Sequence, residues 1–428
     1  MKPNVTHLTR REALARLSAG ALGLALPSVG PLGQRSARAE AAKPKSVAAV
    51  VTLWVTGSHT DAIVGKVVNG WKSDGGPGPN LKIASMYVDQ IGEHDLARDM
   101  GKKYGIPIFD SIEGAVTVGT SGIPVDGVLS IVEHGDYPWN EKGQHLFPRR
   151  RFFSGITATF EKHDRVVPVF NDKHLGPVWD DALWMYERAQ KLKIPFMAGS
   201  SLPVSFRKPE ISLPMGSEIE AAVGVGYSGL DIYGVHTLEL YQTLVERRRG
   251  AETGVKSVQW LGPDDMWKAV DSGAVRQDML EAALTLEPKG SSVSAARKSK
   301  SDGTGLFLFE YNDGLMGAIF MLPELVTFCR VAVKVKGQAK PLATLAEERW
   351  RPLLPHFAYQ LKALEKMFHT GKPSYPVERT LLTTGILDRA LTSRFEDGKK
   401  LTTPELAIRY TPVEYPCAPR PTLTDPLG

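Results

Sequence analysis

VVPVFNDKHLGPVWDDALWMYERAQKLKIPFMAGS, residues 166–200, is the stretch whose reading decides the fold. Val166 to Phe170 is a short β-branched and apolar run. Trp179 to Leu192 repeats apolar residues at helical spacing, and Pro195 to Ala198 is a second short apolar run. Strands this short and this apolar, separated by one helix, pair in parallel, with the helix as a crossover covering one face of the sheet.

The same unit repeats upstream. Ser46 to Val55 reads as a strand buried on both faces, Asp61 to Trp71 as a helix, and Lys72 to Asn80 as a Gly/Pro/Asp/Asn loop. Lys82 to Val88 is a second strand ending at Asp89, and Glu93 to Tyr104 an amphipathic helix. Gly105 to Ile108 is a short third strand, and Ser111 to Ala115 a helical turn. Gly127 to Val132 is a fourth strand ending at His134-Gly135, and a helix follows near Arg151 to Glu161. Repeated β-α units predict an α/β fold whose N-terminal part is a doubly wound, Rossmann-like parallel sheet. Ligands of such sheets bind beyond the carboxyl ends of the strands. Thr56 to His59, Asp89, His134 and Lys173 therefore share one rim.

The second half reads differently. Leu306 to Tyr311, Asn312-Asp313-Gly314 and Leu315 to Leu322 form a hairpin pattern, because Asn and Asp-Gly supply the positive φ of a tight turn. Ser257 to Leu261 and Val331 to Val335 are further strands, and Pro263 to Leu284 is helical in pattern. Pro355 to His369, closed by Gly371, and Val377 to Arg394 are amphipathic helices, and Pro288 to Gly303 is a solvated loop or flap. These elements predict a C-terminal α+β domain with a mostly antiparallel sheet. The expected division is an export signal over 1–39, the Rossmann-like domain over 45–200, the α+β domain over 201–412 and a tail over 413–428.

With 428 residues, 42% of them hydrophobic, and two cysteines, the chain is neither disordered, collagen-like nor a disulfide scaffold. Its formal charge of +5 sits in residues 1–39, where Lys2, Arg10, Arg11, Arg16, Arg35 and Arg38 face one acid, Glu12. The remainder is balanced, so the charge gives no support to a nucleic-acid partner. Arg10-Arg11, an apolar run from Leu17 to Leu26 and the small-residue site Ala37-Arg38-Ala39 together describe a twin-arginine export signal. The run is about half the ~20 residues needed to cross a bilayer. The expected location is therefore periplasmic or otherwise outside the cytoplasm, with no membrane span. Cys329 and Cys417 could pair in an oxidising compartment or stay as free buried thiols.

Three stretches resemble the Gfo/Idh/MocA family of sugar oxidoreductases, over roughly residues 45 to 412. They are Val88-Asp89 through Pro107-Ile108-Phe109-Asp110; Asn171-Asp172-Lys173-His174-Leu175 with Ile194 to Gly199 after its helix; and Gly234-Val235-His236-Thr237-Leu238-Glu239. The resemblance implies NAD or NADP held at Thr56, Gly57, Ser58, His59 and Asp89. Lys173 and His236 would then move the proton of a substrate hydroxyl. Polar and aromatic side chains suited to a sugar ring place a carbohydrate substrate near His134, Tyr137, His174, Asp231 and Tyr233, and the resemblance implies a homo-oligomer through the C-terminal sheet. There are departures. Val51, Leu53 and Thr56 stand where the family has the three glycines of its phosphate loop, so side chains crowd that approach. Asp172 and His174 replace Glu and Pro around Lys173, and Ile232 stands at an aspartate position, with Asp231 beside it. Asp89 reads equally as a turn or cap residue.

No zinc spacing, P-loop or nucleophile elbow is present. The expected function is an exported oxidoreductase acting on a sugar, polyol or glycoside with a tightly held nicotinamide. Two alternatives stay open on the same scaffold. One is a carbohydrate lyase or hydrolase, with a metal if the fold gathers His134, His174, His236, Asp136 and Asp172. The other is a non-catalytic sugar-binding relative that has lost the cofactor.

Overall fold

The computed structural model describes residues 43–351 and 353–418. The export signal expected over 1–39 lies outside the described residues. Eleven elements build the first half in the expected order: β1 (Lys45–Val51), α1 (His59–Asn69), β2 (Leu81–Val88), α2 (Ala97–Tyr104), β3 (Ile108–Phe109), α3 (Ile112–Thr117), β4 (Gly127–Ile131), α4 (Arg149–Lys162), β5 (Val169–Asp172), α5 (Trp179–Lys191) and β6 (Phe196–Gly199). The six strands are all parallel, in the order β3-β2-β1-β4-β5-β6. The chain winds one way from β1 to β3 and the other way from β4 to β6, which opens a crevice beyond the ends of β1 and β4. β4 and β5 are wholly buried, as is β1 from Val47 onward, in keeping with strands covered on both faces.

The second half contributes β7 (Arg207–Lys208), β8 (Ile219–Gly226), α6 (Leu230–Val245), β9 (Val255–Leu261), α7 (Pro263–Asp271), α8 (Gln277–Leu284), α9 (Val293–Ala296), β10 (Gly305–Tyr311), β11 (Met316–Met321), β12 (Arg330–Val335), β13 (Leu342–Ala346), α10 (His356–Thr370), α11 (Glu378–Phe395) and β14 (Leu401–Thr402). Its eight strands run in the order β14-β9-β10-β11-β8-β12-β13-β7. Every pair is antiparallel except β11 with β8. The Asn312-Asp313-Gly314 turn closes the β10–β11 hairpin, with Gly314 at φ 89°. The helical pattern over 263–284 is two helices, and the solvated stretch after it holds the short α9.

Strand β8 is the element that composition hides. Its small residues serve close approach: a β-carbon on Gly226 would lie 2.2 Å from Thr237 Oγ1 of α6. Alternate residues of β8 and β11 face opposite sides. Gly224 and Ile319 lie under α6, whereas Val223, Val225, Ala318 and Phe320 pack on Met266, Met279, Leu280 and Leu284 of α7 and α8. The chain thus covers part of the outer face of this sheet with its own helices. Helix α10 returns to the first sheet, where Phe357, Leu361 and Leu364 join the core of Val47, Val51 and Trp54. Cys329 is buried, Cys417 half-buried, and the two are not bonded.

Candidate functional site

A cavity of about 700 Å³ opens beyond the carboxyl ends of the parallel strands, with the end of the second sheet as its far wall. Lys173 and His134 come to it from the ends of β5 and β4. Both have left-handed backbone, at φ 59° and 68°, which costs a non-glycine residue about 1 kcal/mol or more. Strain of this kind persists where surrounding structure holds it, and here it falls on two adjacent strand ends.

Glu133 organises the floor. It follows β4, is buried, and accepts from Lys173 Nζ at 2.7 Å and from the Arg149 guanidinium at the start of α4. Burial alone would raise the Glu133 carboxyl, but Lys173 and Arg149 outweigh it and hold it well below the usual range. The Lys173 ammonium is thus fixed, charged and only 3% exposed. From the opposite wall, α6 presents His236, whose Nδ1 lies 2.6 Å from Ser200 Oγ. Burial, and then the charge of Lys173, push the His236 imidazole well below its ordinary value, so it rests neutral. Glu239, one turn further along α6, accepts from Ser200 N and Thr383 Oγ1 and so fixes the loop that carries Ser200. Tyr233 lines the cavity, with Tyr227 4.8 Å away ring to ring. The Tyr227 hydroxyl donates to Glu348 at 2.7 Å, and burial pushes the Glu348 carboxyl up to about 7.

The structure thus brings Lys173, His236, His134, Tyr233, Gly57 and His59 to one cavity. Other residues singled out from sequence lie elsewhere. His174 is buried away from the cavity wall, and among the described residues neither of its ring nitrogens has a partner. Asp231 is buried beneath the loop after β4, where it accepts from His145 N at 2.9 Å. Tyr137 turns away to donate to Asp89. Glu133, Arg149 and Ser200 were not singled out. Glu133 had a signal, standing at a strand end next to His134. Among the described residues no group of three or more His, Cys, Asp or Glu side chains is placed to hold a metal ion.

The rim expected to hold a dinucleotide is already satisfied by the chain. A diphosphate in this topology sits on free N–H groups at the start of the helix after β1. Here Gly57 N donates to Asp61 Oδ2 at 2.9 Å, and Trp54 Nε1 holds the other oxygen of that carboxylate at 3.0 Å. Ser58 caps α1, accepting from Asp61 N. The Asp61 side chain therefore already takes an N–H group that a diphosphate would use. The Trp350 ring lies against Gly57, 3.2 Å from where a β-carbon would be. Thr56 is exposed. Asp89 accepts from Tyr87, Tyr137 and Arg151 at 2.6–2.7 Å. Burial raises the Asp89 carboxyl, yet these donors bring it below its ordinary value, so it is an ionised hub rather than an open ribose acceptor. These residues do not fit a dinucleotide bound in the usual manner.

No family model and no curated protein matches this chain. Solved structures do. GenD2 from gentamicin A biosynthesis, in complex with NAD, is 12% identical with a TM-score of 0.54, covering 84% of this chain and 96% of that one. A probable dehydrogenase from Thermotoga maritima is 12% identical at 0.53, covering 84% and 99%. Myo-inositol dehydrogenase from Lactobacillus casei, in complex with NAD(H) and myo-inositol, is 10% identical at 0.52, covering 88% and 98%. The chain has the fold of these dehydrogenases, the one its resemblance to the Gfo/Idh/MocA family implied. At this identity the likeness is one of fold.

Proposed function

We propose that the protein is an enzyme acting on a sugar, polyol or glycoside in the cavity between the two sheets. One observation carries this reading: Lys173 on Glu133 and His236 on Ser200 reach the same cavity from opposite sides, a fixed ammonium facing a neutral imidazole. The ammonium would stabilise negative charge growing on a substrate oxygen, and the imidazole would take or return its proton. Tyr227 and Tyr233 offer apolar ring faces and hydroxyls suited to a sugar ring. The shared fold with sugar and polyol dehydrogenases supports the oxidoreductase class, in which a nicotinamide would supply the hydride acceptor. A second reading is favoured by the occupied rim at Gly57 and Asp89: a carbohydrate lyase on the same scaffold that needs no dinucleotide. The charge pattern of residues 1–39 supports export by the twin-arginine route, so that the working chain would begin after Ala39.

Thermal-shift screening against sugars, polyols and glycosides, followed by turnover assays, tests the site. Lys173→Ala and His236→Ala should each lower turnover about 100-fold or more while ligand binding persists. Unchanged turnover in both would refute the reading. Mass analysis of what the native protein releases on denaturation separates its two forms, and N-terminal sequencing of exported protein checks the cleavage site.

A further inference from the structure

We infer that His59, held by Asp172, is a general base of this cavity, and that the crevice which takes a dinucleotide in this topology is here part of an acid–base site for a carbonyl-bearing sugar. The inference rests on the second form of the reading above.

The argument starts from the strand order. β1 and β4 are neighbours at the point where the winding reverses, and a dinucleotide lies across that point. His59 opens α1, just beyond β1. Asp172 ends β5, on the far side of β4. His59 Nδ1 and Asp172 Oδ2 are 2.5 Å apart, so their bond passes over the end of β4. The rings of His134, from the end of β4, and Phe357, from α10, stand 5.3 and 4.8 Å from the His59 ring. The crevice is bridged and walled by the chain itself.

The same contact makes a base. Asp172 is 1% exposed, and its Oδ1 has no partner. A buried carboxylate at Nδ1 fixes the tautomer with the proton on Nδ1 and the lone pair on Nε2, and it balances the imidazolium formed when Nε2 gains a proton. Among the described residues Nε2 has no protein partner, and His59 lines the cavity with Lys173 and His236. The titratable groups facing it are Glu133, His134, Lys173, His236 and His356.

With no dinucleotide there is no oxidant, so the substrate must bring its own carbonyl: a keto-sugar or a uronic acid glycoside. His59 Nε2 takes a proton from the carbon beside that carbonyl. The C–H electron pair moves onto the carbonyl oxygen, where the Lys173 ammonium neutralises it. The enolate then either takes a proton from water on its opposite face, the imidazolium returning its own proton to the hydroxide formed, which gives the epimer, or expels a β-oxygen substituent. In the second case a C=C bond forms, a C–O bond breaks, and the leaving oxygen takes the proton from the imidazolium. Neither course changes the oxidation level.

The test uses the mature chain without added nucleotide, with keto-hexoses and uronic acid glycosides in deuterated water. Proton NMR follows loss of the C–H signal beside the carbonyl, and ultraviolet absorbance follows an unsaturated product. The expected result is exchange or elimination, lowered about 100-fold by His59→Gln in kcat with KM little changed. Asp172→Asn, a change at a positioning residue, should alter the acidic limb of the pH profile, and titration with NAD(H) should show no saturable binding. Saturable binding, full activity in His59→Gln, or inactivity of the wild type on every carbonyl sugar would each overturn the inference. Loss of turnover in Lys173→Ala but not in His59→Gln would overturn it while leaving the proposed site intact.

Discussion

Asp231 offers a quantitative test of how the wall beneath the cavity is built. The residue is 4% exposed, and burial raises its carboxyl from an ordinary 3.8 to about 6 against the single N–H it receives from His145. Below pH 3.8 the carboxyl is protonated whether the chain is folded or not, and its burial costs nothing extra. Between the two values only the folded chain keeps the proton. Above about pH 6 the folded chain carries a buried carboxylate. Stability present at low pH is therefore lost as pH rises from about 4 to about 6, by about 3 kcal/mol at ~1.4 kcal/mol for each pH unit separating the two midpoints. Asp231→Asn keeps the shape and can still accept from His145 N. It adds an N–H₂ group where Oδ1 has no partner, which costs ~1 kcal/mol. The variant should then be about 2 kcal/mol more stable than wild type at pH 7, about 1 kcal/mol less stable below about pH 3, and flat in difference above about pH 7. Urea unfolding of both proteins across that range measures it. A difference independent of pH, or a variant weaker than wild type at pH 7, would refute the reasoning.

Three further outcomes are expected. Glu133→Gln strands the buried Lys173 and Arg149 cations and should cost ~3–5 kcal/mol in urea unfolding; a loss below 1 kcal/mol would mean the floor is organised otherwise. Gly226→Ala places a β-carbon 2.2 Å from Thr237 Oγ1 and should lower stability by ~1–3 kcal/mol through overpacking of α6 on β8, seen as a lower melting temperature. Denatured, unreduced protein should show two titratable thiols, with Cys329 unreactive in the folded chain.

The parallel sheet was legible because its strands are buried on both faces and so read as unbroken apolar runs between helices. The β10–β11 hairpin was legible from Asn312-Asp313-Gly314. Strand β8 was not: Ile-Glu-Ala-Ala-Val-Gly-Val-Gly lacks strand-forming bulk because α6 packs closely on it. Its parallel pairing with β11 joins strands far apart in sequence, which periodicity cannot show. Lys173 and His236 could be placed from their local motifs. The pairings of Lys173 with Glu133 and of His59 with Asp172 could not, since they join residues 40 and 113 positions apart. Asp89 reads from sequence as a ribose acid or a cap, whereas the fold surrounds it with Tyr87, Tyr137 and Arg151, and only tertiary structure could bring those donors together.

The most direct measurement is a crystal structure of the protein grown with both NAD and a keto-hexose. The expected result is the sugar between Lys173 and His236, His59 still on Asp172, and no dinucleotide beyond β1 and β4. A dinucleotide lying across that crevice, with His59 swung off Asp172 and Asp61 displaced from Gly57, would contradict it.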